Sequence, residues 1–187
     1  MNLTAYLKDQ GLFTSQECTT IAQAFQTEII PKGETIQEMN KYFQRVLFIE
    51  SGLLRTFYYQ DGKDITHFFF DENYFIAPVN SILYNKTERY QWEALETCRV
   101  RVIPYEDFLA LEERYPKLNR LIIEFLINML DLFSQKLNLL QFQSAHDKYK
   151  SFLTMYPNLS NRVSLGSTAS FLGITQQTLS VIRAKKR

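Results

Sequence analysis

Two cysteines, Cys18 and Cys98, and two histidines, His67 and His146, are all the thiols and imidazoles that 187 residues hold. The cysteines are far apart and form no C-x-x-C pair, which excludes a zinc ribbon or a four-cysteine iron–sulfur cluster within one chain. Both are read as reduced, structural thiols. A lone histidine in an aromatic run such as Ile65 to Phe70 is a packing side chain far more often than a ligand. No metal, haem or other cofactor is therefore expected. Also missing are a nucleophile motif and a Gly-rich phosphate loop. Metal catalysis in a β-barrel needs several convergent imidazoles and carboxylates, and only His67 falls in the strand-rich region, so no catalytic residue is expected and the chain reads as a non-enzyme. The first ten residues lack an apolar core with a basic flank. The most apolar run, Leu121 to Leu130, is interrupted by Glu124 and Asn128. With neither a signal peptide nor a membrane span, the expected address is the cytoplasm.

What is present is ordinary for a globular chain, 45% hydrophobic and 22% charged. The net charge of +1 conceals an asymmetry. From residue 141 onward seven basic residues (Lys148, Lys150, Arg162, Arg183, Lys185, Lys186, Arg187) face one acid, Asp147, a balance of +6 that leaves −5 for residues 1–140. A basic terminal module on an acidic body points to a polyanionic partner. The plainer alternative is a solvated basic tail that aids solubility.

Along the chain, Thr14-Ser-Gln-Glu17 has the spacing of a capping box and opens a helical pattern through Ile21, Ala22 and Phe25. β-Branched and aromatic runs follow: Ile29 to Ile36, Arg45 to Gly52, Leu53 to Tyr59, Ile65 to Phe70, Tyr90 to Glu96 and Arg99 to Ile103. Asp61-Gly62 reads as a hairpin turn that needs positive φ. Short strands with turns between them suit a barrel or jelly roll. After Pro104, Tyr105 to Glu113 reads as a short helix.

Leu118 to Phe142 holds no Gly or Pro and carries two apolar stripes. One runs through Ile122, Leu126, Met129, Phe133, Leu137 and Leu140, the other through Leu118, Leu121, Phe125, Leu132 and Leu139, with Glu124, Asp131, Gln135 and Lys136 keeping a polar edge. That is wider than one seam requires, so one face is expected on the barrel and the other on a second copy. The alternative is a central helix buried in a monomer. Downstream, Tyr149, Phe152, Leu153 and Tyr156 space like one helix face ended by Pro157. Leu165, Ala169, Phe171 and Leu172 mark a next helix, Gly173 a left-handed turn, and Thr175 the cap of a last helix.

This order resembles the Crp/Fnr family of bacterial transcription factors, over nearly the whole chain. The residues that carry the resemblance are Ala169-Ser-Phe-Leu-Gly-Ile-Thr-Gln-Gln-Thr-Leu-Ser180, Ile49-Glu-Ser-Gly52 and Glu93-Ala-Leu-Glu-Thr-Cys98. The short form, ending after the recognition helix, looks most like Bacteroidetes-type regulators. The resemblance implies an α+β chain with an N-terminal double-stranded β-helix (jelly-roll, cyclic-nucleotide-binding-like) sensor domain over 1–116, a dimerisation helix over 117–143 and a helix-turn-helix domain over 144–187. Its dimer face would use Ile122, Phe125, Leu126, Met129, Phe133, Leu137 and Leu140. The implied partners are double-stranded DNA, a second copy, a small-molecule effector, and RNA polymerase if it activates.

The effector chemistry departs from the family. Nucleotide-binding members hold the ribose with a Gly-Glu pair and the cyclic phosphate with an Arg-Ser pair; here Ala77 and Pro78 stand at the first, Arg89 and Tyr90 at the second, followed by Gln91. Cyclic AMP is not expected to bind in the family manner. A vestigial pocket, or one for another molecule, would be lined by Phe75, Ala77, Pro78, Val79, Arg89, Tyr90 and Gln91.

On the DNA side, Gln176 and Gln177 are the expected base readers, since Gln pairs bidentately with adenine in the major groove. Thr175 and Thr178 would meet phosphate or a thymine methyl, Ser180 and Arg183 phosphate or a flanking base, and Lys185, Lys186 and Arg187 the backbone. Val181 would either pack inward or touch a thymine methyl. The competing reading is a ligand-binding or protein-interaction module of the same fold that has lost specific DNA binding.

Overall fold

The computed structural model describes residues 1–38 and 40–185. Two short helices lead in. α1 (Leu3–Asp9) is capped by Asn2, whose side chain accepts from the Ala5 amide, and α2 (Ser15–Gln23) opens on the expected capping box. Thr14 Oγ1 accepts from Glu17 N at 3.2 Å, and Glu17 Oε2 accepts from Thr14 N at 2.7 Å. That reciprocal bonding holds the Glu17 carboxyl below the usual carboxylate range.

Eight strands follow: β1 (Gln26–Ile30), β2 (Thr35–Gln37), β3 (Arg45–Ser51), β4 (Leu54–Gln60), β5 (Lys63–Phe70), β6 (Phe75–Ile76), β7 (Gln91–Ala94) and β8 (Cys98–Pro104). They form two four-stranded sheets ordered β1-β8-β3-β6 and β2-β7-β4-β5. The chain passes repeatedly between the sheets, as in a jelly roll. The ladders β1–β8, β3–β8, β3–β6, β2–β7 and β4–β7 are antiparallel. The β4–β5 turn places Asp61 and Gly62 at φ 51° and 72°, the two positive values of a type I′ hairpin. Helices complete the fold: α3 (Val79–Tyr84) between β6 and β7, then α4 (Tyr105–Arg114), α5 (Leu118–Phe142), α6 (Ala145–Met155), α7 (Leu165–Leu172) and α8 (Gln176–Ala184). The sequence pattern places α5 at the observed boundaries. It does not reveal α1, β6 or α3, which are too short to show a period.

Residues divide into two compact units, 1–57 with 69–123, and 58–68 with 124–187. In the first, Leu3, Leu7, Cys18, Ile21, Ala22 and Phe25 pack with Val46, Phe48, Ile103, Phe108, Leu118 and Leu121 in one buried cluster. Both cysteines are buried and free, as expected. Glu50 fastens the lead-in: its Oε1 accepts from Leu3 N at 3.0 Å, and its Oε2 meets Arg99 Nε at 3.0 Å.

The turn into β4 explains the Ile49-Glu-Ser-Gly52 motif. Gly52 has φ +104°, and its amide donates to Glu72 Oε1 at 3.0 Å. A Cβ there would lie 2.6 Å from Cys98 Sγ, 2.8 Å from Cys98 Cα and 2.9 Å from Thr97 O. Only glycine satisfies both the conformation and the space.

In the second unit Phe152 lies 5.7 Å from Phe171 and 5.5 Å from Tyr156, with Leu159, Val163, Leu172 and Leu179 buried beside them. The tip of the β4–β5 hairpin belongs to this unit. Phe68 meets Phe133 at 4.7 Å and Phe171 at 6.3 Å. Ser170 Oγ of α7 accepts from Thr66 N at 2.9 Å and donates to Asp64 O at 3.0 Å, so a helix side chain takes up the edge of the strand. Lys136, expected on a polar edge, instead reaches inward. Its Nζ donates to Thr66 O at 3.4 Å and to the His67 carbonyl, and lies 4.5 Å from the Phe171 and 4.9 Å from the Phe68 ring centroids. Burial pulls the Lys136 ammonium down to about 8, and burial followed by the charge of Lys136 pulls His67 down to about 3.

Gly52→Ala is expected to destabilise the chain by about 3 kcal/mol or more in urea unfolding, since both strain and backbone overlap oppose it. Lys136 gives a second prediction. Between about pH 8 and 10.5 the folded chain binds fewer protons at this site than the unfolded chain, so its contribution makes stability rise with pH across that window. In Lys136→Met that part of the rise should vanish; parallel pH–stability profiles for the two proteins would refute the buried-ammonium assignment.

Candidate nucleic-acid interface

The turn between α7 and α8 follows from four residues. Ser164 caps α7 by accepting from Ser167 N at 3.0 Å. Gly173 takes the left-handed conformation, φ 62° and ψ 38°, and Ile174 N returns to Ala169 O at 3.1 Å, which closes the helix end in a Schellman pattern. Thr175 then caps α8, its Oγ1 accepting from Thr178 N at 3.0 Å. Leu179 is fully buried and sets the inner face of α8 against α6 and α7.

With that face fixed, α8 turns Gln176, Gln177, Ser180, Val181 and Ala184 outward as one exposed line, with Lys185 beyond its end. Both expected base readers are thus exposed. Gln176 lies over the start of α7, where a Cβ on Gly166 would come within 3.2 Å of its Nε2. Val181 is 50% exposed, which removes the inward-packing alternative. Thr175 and Thr178 join their hydroxyls at 2.8 Å, so both serve the cap first. Lys186 and Arg187 lie outside the described residues.

Arg183 is placed differently from the expected outer face. It is half-buried, stacked 5.4 Å from the Tyr149 ring centroid, with Nη2 3.5 Å from Thr168 Oγ1. Its Nε is buried without a hydrogen-bond partner among the described residues. The reason is helical phase: Arg183 follows Leu179 by four residues, one turn along the buried side. Its aliphatic stem and ring contact help fix α8 to α6. A polar groove of about 630 Å³ borders it, lined by Tyr149, Leu153, Ser160, Asn161 and Ser180.

On α5, Leu126, Leu130, Phe133, Leu137 and Leu140 recur at alternating intervals of four and three and are 42% to 70% exposed. Ile123 and Ile127 are exposed beside them. Ile122, Phe125 and Met129, expected on the same line, are half-buried. They flank the inward row of Leu118, Leu121, Leu132 and Leu139, all buried. The helix therefore keeps two apolar faces, with the outer one rotated toward Ile123, Ile127 and Leu130 from the line read in the sequence.

The seven residues expected around an effector differ in burial. Phe75 and Ala77 pack against the buried cluster of the first unit, with the Phe75 ring 4.8 Å from Phe48 and 5.7 Å from Tyr6. Pro78 is buried, Tyr90 and Gln91 are half-buried, and Val79 and Arg89 are exposed. Alternation along β6 accounts for the first pair: Phe75 points to the helical layer and Ile76 to the other side. The sequence reading missed Glu88, a buried carboxylate between two of these segments, because a single acid in a polar loop carries no periodic signal. Among the described residues no group of three or more His, Cys, Asp or Glu is placed to hold a metal ion. Nor is any helix among them long and apolar enough to cross a membrane.

Residues 27–115 match the family model of the cyclic nucleotide-binding domain. Among curated proteins none matches the chain. Among solved structures, FixK2 from Bradyrhizobium japonicum is 16% identical with a TM-score of 0.75, over 86% of this chain and 83% of that one. The c-di-GMP-responsive global regulator CLP of Xanthomonas campestris is 13% identical with a TM-score of 0.74, over 92% and 91%. A protein from Eubacterium rectale assigned to the Crp/Fnr family of transcriptional regulators is 16% identical with a TM-score of 0.72, over 97% and 87%. The chain is thus similar over residues 27–115 to the cyclic nucleotide-binding domain family, and as a whole it has the fold of FixK2, CLP and the Crp/Fnr regulator of Eubacterium rectale.

Proposed function

We propose that the chain is a sequence-specific DNA-binding transcription regulator of the Crp/Fnr type, acting as a homodimer. The observation that carries this reading is the α7–turn–α8 geometry: a left-handed Gly173, a Thr175 cap, and a recognition helix whose inner face is buried while Gln176, Gln177, Ser180 and Val181 face out together. In the major groove the two glutamines would read adenines, Val181 would meet a thymine methyl, and the basic residues Lys185, Lys186 and Arg187 would neutralise phosphates. Arg183 acts inside the module, holding α8 at its angle. The +6 balance of residues 141–187 supplies the non-specific attraction.

One recognition helix reads only a few base pairs, so a second copy is needed for specificity. The outer face of α5 is the surface proposed for it. Five large apolar side chains at heptad spacing are costly to leave in water, and a parallel copy buries them at about 25 cal/mol per Å². RNA polymerase becomes a further partner if the bound dimer activates. The reading of a module that has lost DNA binding gains no support from α8, whose outward line carries Gln176, Gln177 and Ser180 and is apolar only at Val181 and Ala184.

Gln177→Ala is expected to cost about 1 to 3 kcal/mol on a matched operator and to relax the preference at one base pair. Lys185→Ala should weaken matched and scrambled duplexes alike and lower the salt slope by about 1. Titrations showing no sequence preference at any salt would defeat the proposal. For the dimer, Leu130→Glu should give a monomer by sedimentation and weaken operator binding by about 100-fold or more; a variant that stays dimeric would move the interface elsewhere.

A further inference from the structure

The segments with which the cyclic nucleotide-binding family would hold a nucleotide lack its chemistry here. Ala77 and Pro78 offer no carboxylate, Tyr90 stands where a small residue belongs, and Arg89 is exposed. A cyclic nucleotide therefore does not fit these residues. Yet the two segments are joined, by a residue of the chain itself.

Glu88 is 4% exposed, one of the few charged side chains so deeply buried. Its Oε1 accepts from Ser81 N at 2.8 Å and its Oε2 from Asn80 Nδ2 at 3.2 Å. Asn80 and Ser81 lie in the first turn of α3, with Val79 between them and the Ala77-Pro78 pair, while Glu88 directly precedes Arg89 and Tyr90. The surrounding main chain is committed to the same junction. Asn40 N donates to Glu88 O at 2.8 Å, Glu88 N donates to Lys41 O at 3.1 Å, and Lys86 N donates to Asn80 O at 2.9 Å. Ser81 is buried too, and its hydroxyl accepts from Phe43 N at 3.1 Å. A buried carboxylate is costly unless its oxygens are satisfied, and here each oxygen has a donor. Lys41 pairs at the surface with Glu38 at 2.6 Å.

We propose that Glu88 is the resident ligand of the sensor domain: its carboxylate supplies the anion that joins the 77–81 and 88–90 segments, so the domain is held in its joined state without an effector. The inference rests on reading residues 27–115 as a sensor domain, not on DNA binding. It has a negative consequence as well. A phosphate brought to this junction meets a fixed carboxylate and is repelled, which closes the site to cyclic nucleotides for a reason independent of Ala77 and Pro78.

The test compares the full chain with Glu88→Ala and Glu88→Gln in thermal unfolding, with sodium formate against sodium chloride at equal ionic strength, and with 3′,5′-cyclic AMP as a second probe. Glu88→Ala strands the buried Ser81 amide and the half-buried Asn80 side-chain amide and should lower the midpoint by roughly 4 to 10 °C. Formate, a carboxylate small enough for the vacated space, should restore much of that loss in Glu88→Ala while leaving the parent chain unmoved. Glu88→Gln keeps one acceptor, should fall between the two, and should not respond to formate. The parent chain should show no shift with millimolar cyclic AMP. Either substitution unfolding like the parent, formate acting equally on all three proteins, or stabilisation of the parent by cyclic AMP overturns the proposal. If Glu88→Ala does not fold, the midpoint of Glu88→Gln and the nucleotide titration still decide it. None of these readouts involves DNA, so a failure here and a failure of the regulator reading are told apart.

Discussion

A 25-residue helix that is apolar on about half of its circumference cannot satisfy both faces within one chain, and much of this molecule follows from how α5 divides them. Its inner row, Leu118, Leu121, Leu132 and Leu139, is buried and serves the cores of both compact units in turn. The outer row is left in water. No loop or strand among the described residues covers Leu130 or Leu137, and for side chains of that size the unfavourable exposure is the physical reason for the proposed second copy. Lys136 lies between these demands. It gives up solvation to bond the hairpin carbonyls and to sit between Phe68 and Phe171, which leaves its ammonium easier to deprotonate than an ordinary lysine.

The same division runs through β5. Phe69 and Phe70 belong to the first unit, while Phe68 and the residues before it belong to the second, where Ser170 of α7 takes their edge hydrogen bonds. One strand and one helix therefore each pass from the first unit into the unit that holds α8. Glu88 belongs to the first unit. As proposed, its carboxylate keeps α3 and the segment before β7 joined within that unit.

The order of elements was legible in the sequence because each signal is local. The capping box at Thr14 and Glu17, the Asp61-Gly62 turn, the helix from Leu118 to Phe142, and Gly173 followed by Thr175 all reflect constraints satisfied within a few residues, and all stand where the pattern placed them. The outward setting of Gln176 and Gln177 was legible for the same reason: once Leu179 is inside, helical periodicity fixes the rest. Only the folded chain decided which cation stays outside. Arg183 and Lys136 look like surface residues by type, but each shares a helical face with buried leucines and is drawn onto aromatic rings. The rotation of the exposed α5 line toward Ile127 and Leu130 depends on what the other face meets, which no heptad count contains. Glu88 is the clearest case. Its partners lie seven and eight residues away, across a turn and a short helix, and its burial comes from the folding of that loop over residues 40–43, so nothing in the local sequence distinguishes it from any other acid in a polar loop.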